Sequence, residues 1–177
     1  MSTSRYPGLG LSLAVEDPAW ERLGLDLERL VRRSLEAAAA GVPYGVDLTT
    51  EVGITFSNDA AVQVLNAEWR GKDKPTNILS FPLVELAPGD RPAPMMGDLI
   101  LARETVLAEA RSEAKAVEHH LCHLLVHGFL HLAGFDHQDD AEADRMEALE
   151  IAILHRLDIP DPYADDALDG GVASSAA

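Results

Sequence analysis

Positive charge is scarce in this chain. Its 177 residues carry 14 lysines and arginines against 30 aspartates and glutamates, a formal net charge of −16. Broad, sequence-independent attachment to nucleic acid needs many phosphate-facing cations, so that mode is excluded and any nucleic-acid contact must be local. Cysteine is limited to Cys122, which rules out an intramolecular disulfide and agrees with a reducing compartment. Cys122 precedes His127 by five positions, roughly 140° of helix, so the thiol does not share that histidine's face and reads as buried filler. Long apolar runs are missing too. The richest stretch, around Leu121 to Leu132, is interrupted by three histidines, and no segment reaches the ~18–20 apolar residues of a membrane span. Leu9 to Val15 is short, contains Gly10 and Ser12 and leads into Glu16 and Asp17, so no signal peptide is expected. These absences point to a soluble, cytoplasmic protein with no membrane partner.

What remains is ordinary for a folded chain: 47% hydrophobic and 25% charged residues, at a length that suits one domain. Residues 1–157 are expected to form it. From Asp158 on, aspartates give way to Gly, Ala and Ser, so 158–177 is expected to be an acidic, mobile tail.

Within the domain, Leu9 to Val15 reads as a first strand. Asp17 is a helix N-cap with Pro18 at the first helical position, and that helix is expected to run to about Ala40. Val46, Leu48, Val52, Ile54 and Phe56 keep a period of two, a half-buried strand. Ser57-Asn58-Asp59 then caps a short helix whose Val62, Leu65 and Trp69 recur at helical spacing as an apolar face. Arg70 to Asn77 reads as a loop, Ile78 to Pro82 as a strand, 83–95 as a proline-rich loop and Met96 to Leu101 as a strand. Helices are expected over Arg103 to Arg111, over Ser112 to about Ala133, and from Asp139-Asp140 to Leu157, the last with Met146, Leu149, Ile153 and Leu157 as its stripe. The fold class is therefore α+β: a small mixed sheet of about four strands packed by about five helices.

The chemistry is concentrated in His127-Gly128-Phe129-Leu130-His131-Leu132-Ala133-Gly134-Phe135-Asp136-His137. Residues four apart lie on one helical face, so the imidazoles of His127 and His131 can converge on a single ion. Gly134 permits the left-handed backbone that ends a helix and turns the chain, bringing His137 towards the same ion. Three protein ligands leave zinc an open position where water ionises near pH ~7, the mark of a catalytic site used for hydrolysis. His123 also lies four residues from His127, but His123 and His131 are ~12 Å apart along a helix, too far to ligate one ion. It reads as packing or as support behind the ligands, and His119, His120 and His155 as surface or core residues. The ligand spacing matches H-E-x-x-H-x-x-G-x-x-H of zinc peptidases, except that Gly128 stands where their glutamate base would be.

The same eleven residues resemble the signature H-G-x-L-H-L-x-G-[YF]-D-H of the YbeY endoribonucleases, meeting every fixed position. Leu65 to Pro82, with Asn66-Ala67-Glu68-Trp69-Arg70-Gly71-Lys72-Asp73-Lys74-Pro75-Thr76-Asn77, is similar to that family's second signature, and Gly97-Asp98-Leu99-Ile100 to its G-D-[ILV] strand. Asn77 stands where the signature often has Asp. The resemblance covers about Leu9 to Leu157. It implies a zincin-like metal helix, one Zn²⁺ held by His127, His131 and His137, and an arginine, here Arg70, needed for activity in the cleft. It further implies a zinc-dependent endoribonuclease acting on single-stranded rRNA. The process would be 16S rRNA 3′ end maturation and ribosome quality control, with the small ribosomal subunit as partner.

Arg70, Lys72 and Lys74 fit that implication, placing three cations within five residues and including two of the chain's three lysines. A guanidinium suits bidentate contact with phosphate and stabilises charge on a phosphoryl transition state. Asp136, beside His137, can serve as an acceptor behind the ligands or as a turn residue. Two other readings stay open: another zinc hydrolase with its base on a different segment, and a non-catalytic ribosome-assembly factor that zinc only stabilises.

Overall fold

The computed structural model describes residues 4–136 and 138–163. Four strands form one mixed sheet in the order β1-β2-β4-β3: β1 (Leu9–Val15), β2 (Thr50–Ser57), β3 (Ile78–Pro82) and β4 (Met95–Ala102). β1 runs parallel to β2, and β2 parallel to β4. β3 pairs antiparallel with β4 and forms the sheet edge. Five α-helices accompany them: α1 (Leu27–Gly41), α2 (Asp59–Arg70), α3 (Arg103–Ser112), α4 (Val117–Leu132) and α5 (Asp140–Arg156). This is the α+β architecture expected of the sequence.

The period of two along the strands divides the packing between the two faces. Val52, Ile54, Phe56, Leu99 and Leu101 share one core with α1, α4 and α5. Val62 of α2 packs with Leu79 and Ala102, joined by Leu65, Phe81 and Ile100. Ile78 and Ser80 pair with Leu101 and Leu99, while Leu79 pairs with Ile100. Along β3, Ile78 and Ser80 thus turn towards α4, and Leu79 and Phe81 towards α2.

Several elements depart from the expected boundaries. The first helix is two pieces: a 3-10 turn over Pro18–Leu23, capped by Asp17, and α1, capped by Asp26. Between them Gly24 takes the left-handed conformation (φ 71°), which no helix continues through. β2 begins only at Thr50, so Leu48 is buried before the strand and Val46 is 62% exposed. α4 starts at Val117 rather than Ser112, because Ala114 has φ 54° and breaks the chain from α3. Trp69, expected on the apolar face of α2, is 67% exposed; it lies in the last turn of that helix, at the rim of the sheet. After α5, Ile159 is buried and Tyr163 hydrogen-bonds into the core, so the chain packs beyond Asp158. The rest of the expected tail, 164–177, lies outside the described residues.

α4 is the central helix. From Leu121 to Leu132 every residue is buried except His123, His127 and His131, which form a single open stripe at i, i+4 and i+8. Gly128 sets how closely the helix approaches the sheet. A Cβ there would stand 2.8 Å from Leu99 Cδ2 and 3.0 Å from Ile78 Cδ1. Glutamate at this position would be driven into apolar packing and away from the histidines. Gly128→Glu, which would restore the peptidase motif, is expected to lower stability by at least ~3 kcal/mol through overpacking and a buried unpaired carboxylate. Urea denaturation measures this; unchanged stability would refute the close packing at Gly128.

Candidate metal centre and cleft

His127 and His131 are one turn apart on α4, and their Nε2 atoms face each other at 3.0 Å. Two nitrogens ~2.0–2.1 Å from one tetrahedral ion stand about 3.3 Å apart, so the pair is already near the spacing of two ligands. His127 Nδ1 donates to Glu150 Oε1 at 2.8 Å. That bond puts the ring proton on Nδ1 and leaves the Nε2 lone pair facing His131, the tautomer a metal ligand needs. Among the described residues no group of three or more His, Cys, Asp or Glu is arranged to hold an ion. The third expected ligand, His137, lies outside them.

Glu150 comes from α5 and is 1% exposed. It is fully occupied: besides His127, it accepts from His123 Nε2 at 2.9 Å and from the Tyr163 hydroxyl at 2.8 Å. Burial alone would push this carboxyl up, but the hydrogen bonds from His123 and His127 outweigh it and hold it at about 2. Tyr163 is displaced the other way, upwards, by burial and by the Glu150 charge, so its phenol keeps its proton and donates. His123 therefore faces the carboxylate behind His127 rather than the two Nε2 atoms.

The histidine pair opens onto a cleft of about 870 Å³. Arg70, Lys72 and Lys74 line it together with His127, His131 and Asp136. Helix α2 delivers Arg70: Asn58 caps its start, Gly71 (φ 69°) stops it, and Asn66 ties the following loop by donating to the Lys74 carbonyl at 2.9 Å. Arg70 then reaches round β3 and donates from Nη2 to the Ser80 carbonyl at 3.0 Å, which fixes the guanidinium at the lip. Gly134 (φ 101°) ends the opposite wall where the sequence places the turn; a Cβ there would collide with the Leu86 carbonyl.

Sequence reading missed two carboxylates here. Glu150 had a visible signal, lying between Met146 and Ile153 at helical spacing on the buried stripe of α5; such an acid needs a buried partner. Glu109 lines the cleft from α3. It accepts from His120 Nε2 at 2.9 Å and from Asn77 Nδ2 at 3.1 Å, links between distant segments that no local pattern displays.

The arrangement is a converging pair of imidazoles and an anchored guanidinium lining one cleft of about 870 Å³. A family model described as Endoribonuclease YbeY matches residues 18–158. The chain is 51% identical to the Endoribonuclease YbeY of Azorhizobium caulinodans over 154 residues, covering 87% of this chain and 96% of that one. It is 46% identical to that of Allorhizobium ampelinum over 161 residues, covering 88% and 95%. This chain belongs to the YbeY endoribonuclease family. The solution structure of TM1509 from Thermotoga maritima shares the fold, with a TM-score of 0.56 at 22% identity, over 94% of this chain and 97% of that one.

The Glu109 contacts carry a pH dependence. Burial raises its carboxyl, but the bonds from His120 and Asn77 outweigh burial and leave it below its ordinary value. A group whose folded pKa is depressed stabilises the fold above its unfolded pKa, ~4.3, and loses that contribution as pH falls below it. Stability of Glu109→Gln is expected to fall less steeply than wild type on acidification below pH ~4.3. Parallel acid limbs in thermal unfolding would show that these bonds stabilise nothing.

Proposed function

We propose that this endoribonuclease cuts single-stranded rRNA with one Zn²⁺ held by His127, His131 and His137, while Arg70 grips the scissile phosphate. The observation that carries the reading is the pair of converging Nε2 atoms in the same cleft as Arg70, Lys72 and Lys74. Zinc, when bound, supplies a Lewis acid and a water activated near neutral pH. The protein's own groups do the rest. Glu150 holds His127 in the right tautomer and orientation, and neutral imidazoles leave the charge of the ion undiminished.

Arg70, anchored on the Ser80 carbonyl, offers its remaining N–H groups to the phosphate oxygens and neutralises charge as attack proceeds. Lys72 and Lys74 add local positive potential that holds a flexible strand despite the acidic whole. Asp136 is a candidate to orient the attacking water. The setting proposed is cytoplasmic: 16S rRNA 3′ end maturation and ribosome quality control with the small subunit. No helix among the described residues is long and apolar enough to cross a membrane. Against a peptidase stands Gly128, whose position faces the sheet and not the histidines.

The test is cleavage of a single-stranded rRNA fragment by zinc-reconstituted protein, beside Arg70→Ala and His131→Ala purified identically. Both variants are expected to be folded and slowed at least ~100-fold. If wild type binds zinc while all three act alike on RNA, the mechanism is wrong, and the metal stabilises an assembly factor instead. Glu150→Gln is expected to weaken zinc affinity by ~10–100-fold, the usual effect of losing a carboxylate behind a ligating histidine. Competition with a chromophoric chelator measures this directly; equal affinities would remove Glu150 from the metal site.

A further inference from the structure

Trp69 is left unexplained by the zinc and phosphate chemistry. It is 67% exposed, an unusual position for the largest apolar side chain, and it stands one residue before Arg70 in the last turn of α2. Its indole is not loose. Phe81 meets it edge-on, with ring centroids 6.2 Å apart at 69°, and Phe81 is itself packed against the Val62, Leu79 and Ala102 cluster. Arg70 bonds to the carbonyl of Ser80, the residue before Phe81. The two ties therefore run side by side between the end of α2 and the edge strand. One holds a guanidinium that lines the cleft, and the other holds a largely open aromatic surface on the neighbouring residue.

A phosphate gripped by Arg70 belongs to a strand whose neighbouring bases must go somewhere. In a single strand those bases are unstacked and gain ~1–3 kcal/mol each from stacking on an aromatic face. A duplex cannot offer them. We propose that Trp69, braced by Phe81, is a stacking platform for a nucleobase of single-stranded RNA next to the phosphate held at Arg70. The proposal rests on the RNA-cleaving reading of the cleft and deepens it, since it gives the chain a physical means of preferring single strands. The occupant is a nucleobase rather than an apolar peptide because Trp69 immediately precedes Arg70 in the chain, with Lys72 and Lys74 close behind, and these cations line the cleft and draw a polyanion to it.

The chain contains two tryptophans, and the other, Trp20, is 0% exposed and donates to the Ser57 carbonyl at 2.7 Å. Ligand-dependent changes in indole emission therefore report on Trp69. The zinc-loaded full chain is mixed with a short single-stranded oligoribonucleotide and, separately, with the same sequence as a duplex. Emission is read in a stopped-flow instrument before cleavage accumulates, and affinity by anisotropy of the labelled RNA. Quenching by the single strand but not by the duplex is expected. Trp69→Ala should bind the single strand roughly 5–100-fold more weakly, while Trp69→Tyr, which keeps an aromatic face, stays close to wild type. If the single strand binds with no change in emission, the platform is overturned. The same holds if Trp69→Ala binds like wild type while Arg70→Ala does not; in both cases the cleft reading survives. If wild type binds no single-stranded RNA, platform and cleft reading fall together.

Discussion

The closeness of α4 to the sheet is the constraint on which the site depends. Only a residue without a side chain fits between the helix axis and Leu99 and Ile78, and Gly128 supplies it. With that face pressed on the sheet, and Leu121, Leu124 and Leu125 buried in the core shared with α1 and α5, one stripe of the helix stays open, the one carrying His123, His127 and His131. Helical geometry then makes two of the three rings meet. The same packing separates this chain from the zinc peptidases whose spacing it shares. Their glutamate occupies a position that here points into the core, so the base, or whatever replaces it, has to come from another segment.

Electrostatics explains how so acidic a chain can work on a polyanion. At −16 overall, the protein repels RNA at long range, and screening at physiological salt confines that repulsion to within ~8 Å. Binding is thus left to the few places where cations gather. Arg70, Lys72 and Lys74 are such a place: Arg70 ends α2, which Gly71 stops, and the two lysines lie on the following loop, held by Asn66. Acidic charge over the rest of the surface suppresses nonspecific affinity for RNA.

Much of this was legible in the sequence where it rests on local rules. β1, β3 and α2 lie where alternation and capping put them, and the α4 pattern placed His127 and His131 on one face. The failures share a cause. The helix expected from the Asp17-Pro18 start to about Ala40 is divided at Gly24, because one left-handed residue ends a helix. Val46 and Leu48 kept the strand alternation but belong to the approach to β2, since pairing and not pattern decides where a strand begins. Trp69 followed the apolar spacing of α2, yet it lies in the last turn of that helix, where Phe81 meets it edge-on and it stays 67% exposed. Glu150, Glu109 and Asn77 meet partners between 11 and 32 positions away, and such meetings are set by tertiary packing.

Glu150 shows how a buried charge can be tolerated and used. An isolated carboxylate at 1% exposure would cost several kcal/mol or take up a proton. Three donors prevent both outcomes: His127, His123 and Tyr163. Only His127 among them also faces the cleft. The other two satisfy the remaining lone pairs and hold the carboxylate still, so that its orientation is transmitted to one imidazole. His123 thereby takes a place behind His127, one of the two roles its sequence position suggested. It sits on the open stripe of α4, too far from His131 to share an ion, but well placed to fill the acceptor that would otherwise compete for the ring proton of His127. Tyr163 does the same from beyond α5, which ties the chain after that helix to the setting of a residue in the cleft. The precision of the histidine pair is therefore a property of three segments, α4, α5 and the turn at Tyr163, acting through one carboxylate.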